Sequence, residues 1–285
     1  MDDVIIIEDS KIVKKSNALA RAKWTPESIW EPRLVAIVAA QVHQDDKEFK
    51  EYKIPIPVLL EMAGKSSAGA FYADLRKIAR QALGRVIEIK DDKGWAFYSL
   101  FSKCSYRQGD DFLILRFDPD LKQHYLELQN NYKGYPLVDF LALPSIYSQK
   151  LYEILRSWDD RPSAEIKLIE LHEMLCVPAS MRKNFAEFRR RVLEKSFKDI
   201  TTKTNLKYEW EPIKQGRKVV KIRFIFSIKK ALKVAKVKKQ DGDKKQSKIN
   251  NKLFLEAVKC ASEYKNGCGP LKNTKKCCTV CQSIK

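Results

Sequence analysis

The hydrophobic and polar residues of the chain follow one pattern twice. Between residues 68 and 83, Leu75, Ile78 and Ala82 recur at intervals of three and four residues, which predicts a helix with one apolar face. Thr25-Pro26 and Glu31-Pro32 are plausible helix starts, and the apolar residues from Leu34 onward predict a helix that ends near His43. The same criteria predict a helix at residues 58–63, an edge strand near Ile54 and Ile56, and strands at residues 86–89, 95–101 and 112–117.

The second half of the chain predicts the same order of elements. Residues 72–77 (YADLRK) and 185–190 (FAEFRR) correspond position by position, 113 residues apart, and each segment follows a short predicted helix that contains Glu-Met. The predicted elements of this half are helices at residues 143–158, 168–175 and 181–201 and strands at residues 164–166, 206–210 and 218–227.

Helix, strand, helix, helix and a two-stranded hairpin is the order of a winged helix-turn-helix domain. We therefore predict an α+β fold of two tandem winged helix-turn-helix domains, mainly helical with small antiparallel sheets. Residues 1–128 would form the first domain, residues 129–230 the second, and residues 231–285 a basic linker and a cysteine-rich tail. In such a domain the third helix enters the major groove of DNA, and the hairpin, or wing, touches the backbone or the minor groove.

The chain has a net charge of +19, which favours a polyanionic partner such as nucleic acid. Residues 229–285 hold +12 of this charge, so the two predicted domains together hold only +7. The charge of the tail therefore favours non-specific affinity. Any reading of a DNA sequence has to come from particular residues of the domains.

The sequence also indicates the cellular compartment in which the protein acts. No apolar stretch approaches the roughly 20 residues that span a bilayer, and the first residues lack the basic and apolar segments of a signal peptide. Five of the seven cysteines lie in residues 260–285, a distribution unlike a secreted disulfide framework. We expect a cytoplasmic protein that does not bind a membrane.

The predicted helix at residues 181–201 carries the strongest candidates for DNA contact. Its apolar side contains Phe188 and Ile200, and Arg190 and Arg191 lie on the opposite side. An arginine fork can donate to O6 and N7 of guanine together, so these residues suit base reading, with a solvated basic face as the alternative. Arg189 projects toward the apolar side, where a buried ion pair is the alternative to DNA contact. The candidate DNA-binding residues of this helix are Arg182, Lys183, Asn184, Arg189, Arg190, Arg191, Lys195 and Lys198.

Two further surfaces are weaker candidates. The predicted turn at residues 214–218 (KQGRK) is basic and could touch the DNA backbone, with an ordinary polar turn as the alternative. Serine and glutamine in the first domain suit phosphate or shape reading better than base discrimination. These candidates are Lys214, Arg217 and Lys218 in the second domain and Lys65, Ser66, Ser67, Lys77, Arg80 and Gln81 in the first.

We find no motif for catalysis in the sequence. Residues 63–66 (AGKS) end like a phosphate-binding loop, but that motif requires glycine at position 59, which is Leu59. The histidines His43, His124 and His172 lack metal-ligand spacing. We therefore expect no enzymatic activity, no catalytic residue and no cofactor.

The cysteine-rich tail holds one candidate exception to this expectation. Four thiolates within about 20 residues could form a tetrahedral zinc site. Only Cys278 and Cys281 have CxxC spacing, however, and a second such pair is missing. Free thiols in a disordered tail are the alternative. The candidate ligands are Cys268, Cys277, Cys278 and Cys281.

Four segments, taken in order and at their spacing, carry a resemblance to a known family. They are residues 13–19 (VKKSNAL), 143–155 (LPSIYSQKLYEIL), 185–193 (FAEFRRRVL) and 213–218 (IKQGRK). Across about residues 12–230 the chain resembles the initiator Rep proteins of theta-replicating, iteron-carrying bacterial plasmids. The tail lies outside this resemblance.

The resemblance implies two winged-helix domains that bind double-stranded DNA at direct repeats of a plasmid origin. Family members bind the repeats as monomers, help to open the adjacent AT-rich DNA, and recruit the host replication initiator and helicase. Many repress their own gene as dimers, with most of the dimer interface in the first domain, so we expect a homodimer in equilibrium with the monomer. Base reading in the family falls mainly to the long helix of the second domain, here residues 183–198.

Other functions remain open from the residues alone. A transcriptional repressor, or a plasmid copy or partition regulator without initiator activity, would use the same tandem modules. Residues 143–155 and 213–218 favour initiation. An RNA-binding or RNA-modifying enzyme would need an aromatic stacking platform or a catalytic constellation, and we find neither in the sequence.

Overall fold

The computed structural model describes residues 11–43, 45–64, 68–91, 93–107, 109–128 and 131–226. These residues belong to one compact unit, in which the repeated order of elements is present. The predicted linker and cysteine-rich tail, and the candidates Lys65, Ser66 and Ser67, lie outside the described residues.

The first half combines a small sheet with a separate hairpin. Strands β2, β6 and β5 form an antiparallel sheet in that order, and β3 pairs with β4 as the wing. The predicted helix at residues 68–83 is confirmed as α4. The elements are β1 (Ile12–Ser16), α1 (Asn17–Arg21), α2 (Trp30–Ala39), β2 (Tyr52–Pro55), α3 (Ile56–Met62), α4 (Ala68–Leu83), β3 (Val86–Asp91), β4 (Gly94–Ser99), β5 (Phe101–Ser105), β6 (Phe112–Phe117) and α5 (Lys122–Tyr125).

Two predicted boundaries in this half were wrong. Helix α2 begins at Trp30, next to the predicted start at Glu31-Pro32, but it ends at Ala39, four residues before the predicted end. It ends there because the N–H groups of Gln41 and Val42 donate to carbonyls three residues back rather than four. The predicted strand at residues 95–101 divides at the buried Leu100, whose N–H donates to Arg85 O at 3.2 Å, so β4 and β5 belong to different sheets.

The second half has the same organisation. Strands β8, β10 and β9 form an antiparallel sheet in that order. α10, a π-helical turn and α11 follow without a break and form one long helix, residues 185–203. The elements are β7 (Tyr132–Pro136), α6 (Leu137–Leu141), α7 (Ile146–Arg156), β8 (Ser163–Lys167), α8 (Leu168–Met174), α9 (Ala179–Arg182), α10 (Phe185–Phe188), the π-helical turn (Arg189–Glu194), α11 (Lys195–Lys203), β9 (Tyr208–Gln215) and β10 (Lys218–Phe226).

The predicted start of α7 at residue 143 was wrong by three residues. Ser145 is the N-cap of this helix, and its Oγ accepts from the Ser148 N–H at 3.1 Å. Such a cap satisfies one of the orphan donors of the first turn, so the helix begins where the cap stands. The remaining order of elements confirms the predicted α+β fold of two winged-helix units.

The two halves are joined through the first strand. β1 pairs antiparallel with β7, from Ile12 opposite Pro136 to Ser16 opposite Tyr132. Lys15 of β1 forms a buried salt bridge with Glu153 of α7, and the Tyr135 hydroxyl donates to the same carboxylate. A buried carboxylate needs such partners because desolvation is costly. The N-terminal strand therefore packs with the elements that begin the second half.

Candidate nucleic-acid interface

The helix-turn-helix of the second half consists of α8 and the long helix. His172 of α8 meets the ring of Phe188 edge-on, with ring centroids 4.5 Å apart, and burial lowers the pKa of His172. Phe188, Val192 and Ile200 are fully buried along the long helix. The predicted apolar side is therefore confirmed as the packed side, and the opposite side faces solvent.

The start of the long helix differs from the predicted one. The predicted helix at residues 181–201 is interrupted at Asn184, whose Oδ1 accepts from the Glu187 N–H at 3.2 Å and caps the helix. Arg182 ends the separate short helix α9, and its Nε donates to Val177 O at 2.6 Å. Lys183 lies exposed between them. These three candidates thus cluster at the N-terminal end of the long helix, the end that meets base edges in helix-turn-helix proteins.

Arg190 and Arg191 project from the exposed side, with 65% and 61% of their side-chain surfaces accessible. Both guanidinium groups pair with Glu187, Arg190 Nη2 at 2.8 Å and Arg191 Nε at 2.5 Å. The hydrogen bond from Arg190 is the main cause that lowers the pKa of Glu187. The two strongest candidates for base reading therefore share one carboxylate.

Arg189 lies elsewhere than predicted. It is exposed rather than directed into the apolar side, and its Nε donates to Glu194 at 2.7 Å. The partners are five residues apart, the spacing that the π-helical turn brings together. Its guanidinium also lies 5.9 Å from the centroid of the Trp210 ring. The alternative of a buried ion pair is therefore wrong, because Arg189 is 55% exposed and pairs with Glu194 at the surface. Lys195 and Lys198 are exposed on the following turns.

The wing of the second half is longer than predicted. Its strands run to Gln215 and from Lys218, which face each other, so only Gly216 and Arg217 form the turn. Gly216 has φ +61°, the positive φ that the first central residue of a type II′ hairpin turn requires. The candidates Lys214, Arg217 and Lys218 are all exposed near this tip.

The basic side chains at the tip of this wing differ from those near its base in their acidic partners. Among residues 131–226, we find no salt bridge to Lys214, Arg217 or Lys218. Nearer the base, Arg223 pairs with Glu165 at 2.7 Å and with Glu211 at 2.8 Å. The tip therefore presents uncompensated positive charge to an anionic ligand.

The first half presents a weaker surface. Leu75, Ile78 and Ala82 of α4 are buried, and Lys77 and Arg80 are exposed. Gln81 Nε2 donates to Glu27 Oε2 at 2.7 Å, so this candidate is held by the segment before α2.

Sequence reasoning missed the carboxylates that hold the candidate residues. Glu187 precedes Arg190 and Arg191 by three and four residues, the spacings at which helical side chains meet, and this signal could have found the pairs. Glu27 holds Gln81 across 54 positions, and no local pattern predicts that contact.

No group of three or more potential metal ligands occurs among the described residues. Cys104 and Cys176 are free thiols, and the candidate zinc ligands lie outside the described residues. Over residues 11–226, as far as they are described, we find no helix with the length and hydropathy that a bilayer crossing requires.

Two winged helix-turn-helix units with basic exposed surfaces define a tandem winged-helix, DNA-binding class of protein. Residues 12–156 match the family model described as "Initiator Replication protein, WH1", and residues 167–226 match the one described as "Initiator Rep protein, WH2". The chain belongs to the initiator replication (Rep) protein family, as its sequence predicted. The family consists of DNA-binding initiators of plasmid replication and not of known catalytic enzymes.

A solved structure shares the fold at low sequence identity. The Pi initiator protein, solved in complex with iteron DNA, aligns with a TM-score of 0.61 at 19% identity and covers 77% of this chain and 98% of its own. Domains 2 and 3 of RctB align with a TM-score of 0.41 at 14% identity, over 68% of this chain and 80% of their own. The similarity to Pi extends across both winged-helix units.

Proposed function

We propose that the chain initiates plasmid replication by binding the direct repeats, or iterons, of its origin as duplex DNA. The observation that carries this proposal is the exposed Arg190 and Arg191 on the long helix of a Rep-family chain. Each arginine fork can donate to O6 and N7 of a guanine in the major groove. The fold likeness to Pi, which was solved with iteron DNA, supports the same ligand class.

In this proposal the chain acts in the cytoplasm by binding and not by catalysis, and it needs no cofactor. Once bound, it promotes opening of the adjacent DNA and recruits the host replication initiator and helicase. The second winged-helix domain reads sequence. The first positions the protein on DNA and supplies the surface for a homodimer, which represses the gene of the protein and is in equilibrium with the monomer.

The first wing supports the proposed dimer surface. Val86, Trp95 and Phe97 are 52%, 68% and 57% exposed, and their strand register places them on one face of the β3–β4 hairpin. The rings of Trp95 and Phe97 lie 5.0 Å apart between centroids. Among the described residues β4 pairs only with β3, so its outer edge is open. An exposed apolar face beside an open edge is typical of a surface that a partner covers.

The test is plasmid maintenance. The gene, with the DNA that flanks it, is placed on a plasmid that lacks any other origin, in cis and in trans. We expect maintenance with the natural protein and its loss when Arg190→Ala and Arg191→Ala are combined. Arg161→Ala, an exposed arginine outside the long helix, is the matched control and should support maintenance. Repression of the gene without maintenance would point instead to a transcriptional or copy regulator.

A further inference from the structure

Glu187 lies in the first turn of the long helix and holds both candidate base-reading arginines. One carboxylate oxygen, Oε1, accepts a hydrogen bond from Arg190, and the other, Oε2, forms a salt bridge with Arg191. The side chain is 35% exposed, so part of the carboxylate still faces solvent. A ligand that meets the two arginines therefore meets this carboxylate as well.

The carboxylate has capacity for a further hydrogen bond. An ionised carboxylate offers about four lone-pair positions, and the described contacts of Glu187 use two. The paired arginines also lower the pKa of Glu187, which keeps it ionised at neutral pH. Asn184 holds the backbone N–H of Glu187, so the position of the residue is fixed independently of its side chain. Glu187 can therefore accept from a ligand while it keeps both arginines.

The major groove limits what that ligand can be. Its exposed amines are N4 of cytosine and N6 of adenine, and adenine also places the acceptor N7 beside its amine. A carboxylate is repelled by this acceptor and by a phosphate, whereas cytosine itself carries no acceptor beside its amine on the major-groove edge. Cytosine is therefore the base whose edge best fits Glu187.

We propose that Glu187 is a specificity-determining residue that accepts a hydrogen bond from the N4 amine of a cytosine, beside a guanine read by Arg190 or Arg191. This inference rests on the proposed function, because the long helix has to lie in the major groove. Glu187 also offsets the charge of two arginines, so it weakens their attraction to the phosphates of unrelated sequences. Both effects increase the preference of the protein for its site over unrelated DNA.

The experiment compares Glu187→Gln with Glu194→Gln in the full chain. Glu194 is the matched control, because it is an exposed glutamate of the same helix that pairs with one arginine, Arg189, at 2.7 Å. Each protein is equilibrated with random duplex DNA, the bound fraction is sequenced, and affinities are measured for the enriched site with every base pair replaced in turn. Thermal melting of each variant reports whether the fold is kept.

We expect the natural protein to prefer a C·G pair at one position by about tenfold or more. Glu187→Gln should reduce that preference to about twofold, leave the other positions unchanged and raise the affinity for unrelated duplex DNA, whereas Glu194→Gln should keep every preference. Unchanged preferences in Glu187→Gln overturn the inference. A uniform loss of base preference at all positions, together with a lowered melting temperature, also overturns the inference, because it shows that Glu187 has a structural role. If the natural protein enriches no site, the proposed function itself fails.

Discussion

The guanidinium of Arg21 lies 3.6 Å from the centroid of the Trp158 ring and joins α1 to the end of α7. Its Nε donates to Ser157 Oγ at 2.8 Å and its Nη2 to Ser157 O at 2.9 Å. Ser157 is the C-cap of α7, so Arg21 satisfies a carbonyl that the helix end leaves free. A single side chain of the first half thereby stabilises the central helix of the second.

We therefore predict that Arg21→Ala lowers the free energy of unfolding by about 2–3 kcal/mol, because two charge-assisted hydrogen bonds and the ring contact are lost. Arg21→Lys keeps the charge without the planar fork, so its free energy of unfolding should lie between those of the natural protein and Arg21→Ala. Urea unfolding followed by circular dichroism measures both. Lys23→Ala removes only the partly exposed pair with Glu88 and should cost at most about 1 kcal/mol. Equal losses for Arg21→Ala and Lys23→Ala would contradict the assignment.

Lys150 should make a contribution to the stability of the chain that increases as the pH rises. This lysine is buried, its ammonium lies 5.1 Å from the centroid of the Trp24 ring, and burial lowers its pKa to about 8. Above pH 8 the folded protein releases this proton, while the unfolded chain keeps it until about pH 10.5. The free energy of unfolding should therefore gain a contribution that approaches about 1.4 kcal/mol per pH unit between pH 8 and 10.

Lys150→Met isolates this contribution, since the variant keeps a long apolar side chain without the titrating group. Cys104 and the buried tyrosines have raised pKa values that act in the opposite direction, and the difference between the two proteins removes them. Chemical unfolding at pH 7.5, 8.5 and 9.5 gives that difference. A constant difference across this range would show that Lys150 is already neutral or stays charged throughout.

The tip of the second wing should contribute affinity without sequence preference. Lys214 and Arg217 are exposed without a salt bridge to a described residue, so they suit phosphate contact. Lys214→Ala with Arg217→Ala should weaken binding to repeat and unrelated DNA alike and reduce the slope of log K against log salt by up to about 2. Lys221→Ala is the control, because that lysine already pairs with Glu165 at 3.2 Å. A changed base preference in the double variant would assign the tip to base reading instead.

The exposed face of the first wing should control self-association. Trp95→Glu with Phe97→Glu places charge on that face and should shift the chain from dimer to monomer in sedimentation equilibrium, with the melting temperature little changed. Ile169→Glu changes an equally exposed apolar residue of α8, 65% accessible, and should leave the dimer intact. If both variants dimerise as the natural protein does, the interface lies elsewhere.

The metal content of the purified protein tests whether the cysteine-rich tail binds zinc. We expect the purified full chain to contain no stoichiometric metal. One zinc ion per chain, lost when Cys278→Ser and Cys281→Ser are combined, would overturn this and establish an all-cysteine site. Elemental analysis of both proteins after dialysis decides between the two results.

The sequence predicted the elements whose periodicity comes from burial. Residues 68–83 carry their apolar residues on one helical face, and the helix has these bounds. The wing of the second half was underestimated because β9 is largely exposed and carries Glu209, Glu211 and Lys214, which leave little alternation of apolar and polar positions. An exposed strand that is held mainly by backbone hydrogen bonds shows little periodicity of apolar residues in its sequence.

The candidate site was predictable in composition but not in geometry. The arginines of the long helix were found because they lie opposite its apolar side. The π-helical turn was not predicted, because no residue type marks such a turn in a sequence. It brings Arg189 beside Glu194, five residues later. Asn184 carried a cap signal, but the helical pattern continued through Met181 and concealed the break.

The pairing of β1 with β7 has a consequence for synthesis of the chain. The ribosome releases residues 12–16 before residues 132–136, and the partner strand is complete only when residue 136 has been added. At about 5–20 residues per second, the first strand waits on the order of ten seconds without its ladder. The N-terminal half of the nascent chain therefore finishes folding only together with the beginning of the C-terminal half, and a translation pause between the two prolongs the time in which proteases and chaperones meet an open strand edge.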